Sequence, residues 1–297
     1  MARIAFIGLG AMGGPMAANL VSAGHEVIGF DLAPALRAQA KENGVKPAAS
    51  ARDAATQAGV VVTMLPAGDA VLSVWTELLP RVCEGTLFID CSTIDIASAR
   101  EAHRLASLAG QASVDAPVSG GVGGAKAASL TFMCGGAAPA VAAARPTLSG
   151  MGKAIIHCGD AGLGQAAKIC NNMMLGATMI VTCEAFVLAE KLGLSAQALF
   201  NVASVSSGQS WSLTSYCPAP GLVPSSPANN DYKPGFMASL MLKDLKLAQE
   251  AAAAAGVATP LGALAAQLYA LYTDAGAGAM DFSGIINMIR GKADGRE

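Results

Sequence analysis

Short β-branched runs alternate with Ala-rich stretches of helical spacing along the first half of the chain. The runs read "RIAFIG", "EVIGFD", "VVVTML", "TLFIDCS", "ASVDAP", "LTFMCGG" and "KAIIHCG". Strand followed by helix-length segment, repeated in this way, predicts parallel pairing through right-handed crossovers and so a doubly wound α/β sheet. From about Gly162 the period changes. Long Ala/Leu/Met segments take over, which predicts an all-helical second domain. The expected boundaries are 1–161 for the α/β domain and 162–297 for the helical one. Within the second, "SWSLTSYCPAPGLVPSSPANNDYKPGF" predicts a loop with helices on both sides.

The first strand runs into "GLGAMGGPMAANL". Gly8 permits a tight turn, Gly10 lets the backbone approach a pyrophosphate, and Gly13 lets helix and strand pack closely. The helix N-terminus beyond them favours the anion. Asp31 closes the next strand, where a carboxylate accepts hydrogen bonds from an adenosine ribose and repels a 2′-phosphate. Together these predict a Rossmann-type domain that binds NAD rather than NADP. Arg37, beyond Pro34 on a presumed helix, reads as part of a solvated face. Ligands of such sheets bind beyond the carboxyl ends of the strands. Two further strand ends, Leu65–Pro66 and Ser92–Thr93, are candidates there, although Ser and Thr also serve as simple helix caps.

Composition narrows the function classes. Hydrophobic residues make up 53% and charged residues 13% of the 297, which excludes disorder. A net charge of −2 leaves no basic stripe for nucleic acid and no electrostatic draw to a membrane surface. The mean hydropathy of +0.46 raises the question of a membrane span. The most apolar run, Met173 to Ala189, falls short of the ~20 residues a span needs and contains Glu184. A buried central helix is the expectation. The N-terminal "MARIAFIGLG" reads as a strand rather than a signal peptide. Seven scattered cysteines without a CxxC pair suit a reducing cytoplasm. Histidines 25, 103 and 157 fall in no motif, with His103 reading as helical and exposed. No His, Cys or Asp cluster has metal-ligand spacing, so no metal is expected.

Two stretches carry candidate chemistry. In "DAPVSGGVGGAKAASL", Ser119, Gly120 and Gly121 follow a strand, and glycines with available N–H groups form a nest for a carboxylate. A flexible hairpin would read the same way. In "GQAAKICNNMMLGATMIVTCEAF", Lys168 and Asn172 share one face of an otherwise apolar helix, and Asn171 falls at its edge. Either Lys168 snorkels to solvent, or its ammonium stands in a ligand cleft where the domains meet. A desolvated lysine has its pKa lowered from ~10.4 toward neutrality, the range proton transfer requires.

The motifs "GLGAMGGPMAANL", "FIDCSTI", "DAPVSGGVGGA", "GLGQAAKICNN" and "KDLKLA", collinear over nearly the whole chain, resemble the β-hydroxyacid dehydrogenases. The resemblance implies an NAD-dependent oxidoreductase acting on a small hydroxyacid. Gly8, Leu9, Gly10, Ala11, Met12, Gly13, Asp31, Leu65, Pro66, Ala70 and Thr93 would hold NAD, and Lys243 would reach toward its nicotinamide end. Ser119, Gly120 and Gly121 would bind the substrate carboxylate, with Asn172 on a carboxylate or hydroxyl oxygen. Lys168 would be the catalytic acid/base. Asp244 would orient Lys243 at the substrate site, although charge at "MLKDLKLA" alone describes a surface helix.

Within the family the local text, including "MLPAG", "AKICNNM" and "TPLGALA", is most similar to members that oxidise 3-hydroxyisobutyrate in valine degradation. Trp211 and Phe236, flanking the Pro-rich stretch, are candidates for the wall around the branch methyl, or simply core. The alternative within the family is a tartronate, glyoxylate or succinic semialdehyde reductase. NADPH-preferring relatives of that kind carry Asn-Arg where this chain has Phe30 and Asp31. Outside the class, a non-catalytic NAD-binding redox sensor would keep the glycine turn and lose the lysine. So much apolar helical surface implies a homodimer or homotetramer.

Overall fold

The computed structural model describes residues 1–291, and the last six residues of the expected helical domain lie outside them. The chain divides into two compact units, Met1–Lys168 and Ile169–Glu297. The division between these compact units lies inside a helix.

The first unit runs β1 (Arg3–Ile7), α1 (Gly13–Ser22), β2 (Glu26–Phe30), α2 (Pro34–Glu42), β3 (Lys46–Pro47), α3 (Ala51–Ala55), β4 (Val60–Thr63), α4 (Gly68–Leu78), β5 (Leu87–Asp90), α5 (Ile96–Leu108) and β6 (Ala112–Asp115). It continues through β7 (Val118–Ser119), α6 (Gly121–Lys126), β8 (Leu130–Gly135), α7 (Ala138–Ser149), β9 (Gly152–Gly159) and the start of α8 (Leu163–Lys191). The strand order is β3-β2-β1-β4-β5-β6-β8-β7, with β9 on β8. From β3 to β6 every pair is parallel.

The strands read as unbroken apolar runs because helices cover both faces. Side chains alternate across the sheet. Phe6, Val62 and Ile89 join Met16 and Leu20 of α1 and Val141, Ala144 and Leu148 of α7 in one core. Ala5, Ile7, Val61 and Phe88 join Val71, Trp75 and Leu78 of α4 and Ala99, Ala102 and Ala106 of α5 in the other. All seven expected strands are present. The expectation of purely parallel winding fails beyond β6, because β8 runs antiparallel to β6 and β7 antiparallel to β8. The link from β7 to β8 holds only the six-residue α6. That is too short for the crossover a parallel pair requires. The edge strand β3 has only two exposed residues and gives no period to read.

The second unit is helical: the rest of α8, then α9 (Ala196–Ala203), α10 (Trp211–Thr214), α11 (Ala238–Ala255), α12 (Pro260–Tyr272) and α13 (Ile285–Ile289). Its core gathers Met179, Cys183 and Phe186 of α8 with Met241, Leu245, Tyr269 and Phe282. The Pro-rich stretch is no open loop. It contains α10 and a 3-10 turn over Pro227–Asn230, and Cys217, Val223 and Tyr232 are buried in the core. The Ser226 hydroxyl donates to Cys217 O (2.6 Å) and Tyr232 Oη to Pro218 O (2.9 Å), which fixes its path.

Helix α8 spans 29 residues and is long and apolar enough to cross a membrane by length and composition alone. The sequence understated this length, because the apolar run continues in both directions into small and polar helix formers. The helix is two-sided. Met179, Cys183 and Phe186 are buried, whereas Met174, Val181 and Leu188 are exposed at heptad spacing.

Candidate active site

The glycine turn between β1 and α1 is built by close approach. Gly8 has φ +95°, and a Cβ there would run into the Met64 carbonyl oxygen, so only glycine fits. A Cβ at Gly13 would strike the Gly8 carbonyl oxygen. Gly10 differs: a Cβ there would meet nothing within 4 Å. The open space at the mouth of α1 fits a pyrophosphate against bare backbone. The amides of Gly8 and Leu9 are already committed, to Phe30 O (2.9 Å) and to Asp31 Oδ2 (2.8 Å). Leu9 therefore shapes the turn with a buried side chain, while half-buried Gly10 and Met12 and exposed Ala11 form its outer rim.

Asp31 also accepts from Ala33 N–H at Oδ1 (2.9 Å). It braces the glycine turn from the strand end where a ribose contact is expected, a bracing role the sequence reading missed. Arg37 is not on a solvated face. It is half-buried, donates to the Asp31 carbonyl (2.6 Å), and lies 5.5 Å from the centre of the Phe30 ring. A cation above an aromatic face and a charge-assisted bond outcompete full hydration here.

The ends of β4 and β5 are joined by a buried carboxylate. Asp90 Oδ1 accepts from Thr63 Oγ1 (2.7 Å) and from the Ser92 hydroxyl (2.6 Å), and Leu65 N–H donates to Ser92 Oγ (2.8 Å). This network sets the backbone of Leu65–Pro66 and Ser92–Thr93, the two strand-end pairs expected at the cofactor. Ser92 is therefore not a helix cap. That task falls to Asp95, which accepts from Ser98 N–H (2.7 Å) at the start of α5. Asp90 Oδ2 has no hydrogen-bond partner among the described residues, and burial raises its pKa to about 6. Ala70 lies half-buried in the first turn of α4.

At the end of β6, Asp115 organises the next two pieces. Its Oδ1 accepts from Gly162 N–H (2.8 Å) and its Oδ2 from Gln165 N–H (3.0 Å), at the start of α8. His103 Nε2 lies 2.8 Å from Oδ1, and its Nδ1 lies 2.8 Å from the Ser113 hydroxyl. His103 is thus half-buried in a structural pair rather than exposed. Directly after Asp115 the chain reaches the glycine loop. Ser119 ends β7 half-buried, and Gly120 (φ +127°) and Gly121 (φ +59°) take left-handed conformations in succession. Lys168, one turn into α8, is only 7% exposed, which argues against snorkelling.

In the helical unit, Asn172 is 2% and Asp244 3% exposed, while Asn171 is exposed. Asn172 Nδ2 donates to Asp244 Oδ2, and its Oδ1 accepts from Asn171 Nδ2 (3.0 Å). Asp244 is therefore no surface charge of α11. Its partner is the amide one helical turn beyond Lys168. Lys243 is half-buried on the same helix. Trp211 stacks on Tyr216 (4.9 Å), Tyr216 on Phe282 (5.3 Å), and Phe236 meets Phe282 edge-on (5.8 Å). The two candidate methyl-pocket residues are thus members of one aromatic ladder tied to the helical core. Among the described residues no group of His, Cys, Asp and Glu has metal-binding geometry.

The first unit coincides with a known domain model, the NAD binding domain of 6-phosphogluconate dehydrogenase, matched over residues 3–159. Residues 162–289 match the NAD-binding domain of NADP-dependent 3-hydroxyisobutyrate dehydrogenase. A probable 3-hydroxyisobutyrate dehydrogenase of Mycobacterium bovis is 53% identical, over 99% of this chain and 100% of its own. The chain belongs to the β-hydroxyacid dehydrogenase family. It is an NAD-dependent hydroxyacid dehydrogenase. The solved Mycobacterium tuberculosis 3-hydroxyisobutyrate dehydrogenase with L-serine superposes with a TM-score of 0.94 at 53% identity, covering 98% of this chain and 99% of that one. An NAD-dependent L-serine dehydrogenase of Pseudomonas aeruginosa is 48% identical over 95% of this chain and 96% of its own.

Two outcomes follow from this geometry. Gly10→Ala should leave thermal unfolding almost unchanged yet weaken NADH binding at least ~10-fold, because the methyl occupies the pyrophosphate's approach. Gly13→Ala should instead destabilise the fold by about 2 kcal/mol or more, through collision with Gly8. Fluorescence titration of NADH and thermal scans on both variants distinguish the cases, and equal NADH affinity in Gly10→Ala would contradict the assignment.

Asp90 sets a pH dependence. Below about pH 4 its side chain is protonated in folded and unfolded chains alike. As pH rises toward 6 the folded chain must retain the proton or bury a carboxylate, so stability is lost over that window, by roughly 3 kcal/mol in all. Asp90→Asn keeps the acceptor at Oδ1 and removes the titration. Urea unfolding between pH 4 and 7 should show a flatter profile than wild type, and an unchanged slope would contradict the buried acid.

Proposed function

We propose that the protein oxidises 3-hydroxyisobutyrate to methylmalonate semialdehyde with NAD, a step of valine degradation, with Lys168 as general base. The observation that carries this reading is a buried lysine on the helix whose N-terminus Asp115 ties to the strand leading into the glycine loop. Bound NAD supplies the hydride acceptor. Neutral Lys168 takes the proton of the substrate C3 hydroxyl at Nζ as the C3 hydride leaves, and as ammonium it returns that proton in reduction. Ser119, Gly120 and Gly121 present hydroxyl and backbone N–H groups to the substrate carboxylate. Asn172, its amide held by Asp244, takes a substrate oxygen one turn along from Lys168, and Lys243 serves the nicotinamide end. The free cysteines support a cytoplasmic setting. The exposed stripe Met174, Val181 and Leu188 supports a homodimer or homotetramer.

A second reading is favoured by the L-serine dehydrogenase relative and by the L-serine bound to the mycobacterial enzyme. L-serine shares the three-carbon 3-hydroxyacid frame and carries an amino group where 3-hydroxyisobutyrate carries a methyl. The experiment is kcat/KM for both substrates with NAD and with NADP. 3-Hydroxyisobutyrate should exceed L-serine by at least ~10-fold, the scale of a methyl in a fitted pocket against a desolvated ammonium. NAD should exceed NADP by at least ~10-fold through repulsion of the 2′-phosphate by Asp31. A faster L-serine would move the substrate to the second reading, and equal cofactor rates would remove Asp31 from the ribose.

Lys168→Ala should lower kcat at least ~100-fold while leaving NADH affinity nearly unchanged. Lys168→Arg should fail almost as badly, because guanidinium stays charged and accepts no proton. An arginine variant of wild-type rate would remove Lys168 from the chemistry.

A further inference from the structure

Gln165, three residues before Lys168, is completely buried and fully engaged. Its Nε2 donates to Ser92 O (2.8 Å), and its Oε1 accepts from Ile94 N–H (3.2 Å). Those two backbone groups flank Thr93, so the side-chain amide grips the segment on either side of that residue as a neighbouring strand would. The backbone N–H of Gln165 donates to Asp115 Oδ2 (3.0 Å). One residue therefore ties the Thr93 segment and the end of β6 to the first turn of α8. An apolar side chain would fill the space but leave the Ser92 carbonyl and Ile94 amide without these bonds.

We propose that Gln165 is a positioning residue for hydride transfer. It holds the strand-end segment assigned to the cofactor at a fixed separation from the proton acceptor one turn further along α8. The side-chain amide makes neither of the bonds by which Asp115 accepts two N–H groups at the N-terminus of α8. What the amide adds is register between Thr93 and Lys168. Transfer of hydride and proton in one step is sensitive to that register, and a misplacement of about 1 Å costs on the order of 100-fold.

The test uses 3-hydroxyisobutyrate carrying protium or deuterium at C3, with NAD. Gln165→Leu should lower kcat at least ~10-fold while NADH affinity stays within ~3-fold. The deuterium effect on kcat should rise above the wild-type value, because transfer becomes slower than product release. A kcat per folded enzyme within ~2-fold of wild type, or a fall in kcat with an unaltered isotope effect, would overturn the proposal.

If Gln165→Leu does not fold, Gln165→Glu decides. A protonated glutamic acid can donate to Ser92 O and accept from Ile94 N–H, whereas its carboxylate cannot donate. The reductive rate relative to wild type should rise as pH is lowered, and a ratio flat with pH would overturn the proposal. The inference rests on Lys168 as proton acceptor. A fully active Lys168→Ala would remove that reading by itself, and the isotope effect of the Gln165 variants is measured independently of it.

Discussion

The first turn of any α-helix leaves N–H groups without intrahelical partners. In α8 two of those of its opening turn, on Gly162 and Gln165, are met by the carboxylate of Asp115. A negative charge at this end is favourable by roughly 0.3–1 kcal/mol when exposed and up to ~2 kcal/mol when partly buried. Asp115 is 2% exposed, and His103 supplies a further partner. The strand that carries this carboxylate continues into the glycine loop, so loop and lysine helix share one anchor. The packing around it is close: a Cβ at Gly164 or Gly135 would collide with Asp115 atoms. These glycines are where they are because the anchor leaves no room for a side chain.

A second carboxylate repeats the device one strand away. Asp90 binds the ends of β4 and β5 through Thr63 and Ser92, and Gln165 links that pair to α8. Buried acids are costly to ionise, and the raised pKa of Asp90 records that cost. Hydrogen bonds to Oδ1 offset part of it. The result is a set of strand ends whose loops are held by side chains rather than left to their own conformational freedom.

The alternation of apolar runs and the glycine turn were legible from residue order alone, because period and glycine spacing are local properties. The parallel strands followed from them. The antiparallel β7–β8 arm did not, since its cause is a connection too short for a crossover, and a glycine-rich stretch conceals where its short helix lies. Lys168 was visible as a polar residue on an apolar helix, but its burial was not. Asp115 and Gln165 were missed, because they act through each other across 50 residues, and His103 read as exposed because its partners Ser113 and Asp115 stand on the next strand. Asp115 and Gln165 each stood inside a quoted motif, and that was the available signal. Asp244 read as surface charge for the same reason, its partner Asn172 being 72 residues away.

The central claim is that an amine at position 168 accepts the hydroxyl proton, and chemical rescue tests it most directly. In the Lys168→Ala enzyme the removed side chain leaves space that a small primary amine can enter. The rate of 3-hydroxyisobutyrate oxidation by that variant should rise with added methylamine or ethylamine. Across a series of amines of similar size the rescue should increase with basicity, as Brønsted behaviour requires of a general base. A variant that oxidises substrate at the wild-type rate without amine, or whose rate is the same at every amine concentration, would contradict the account.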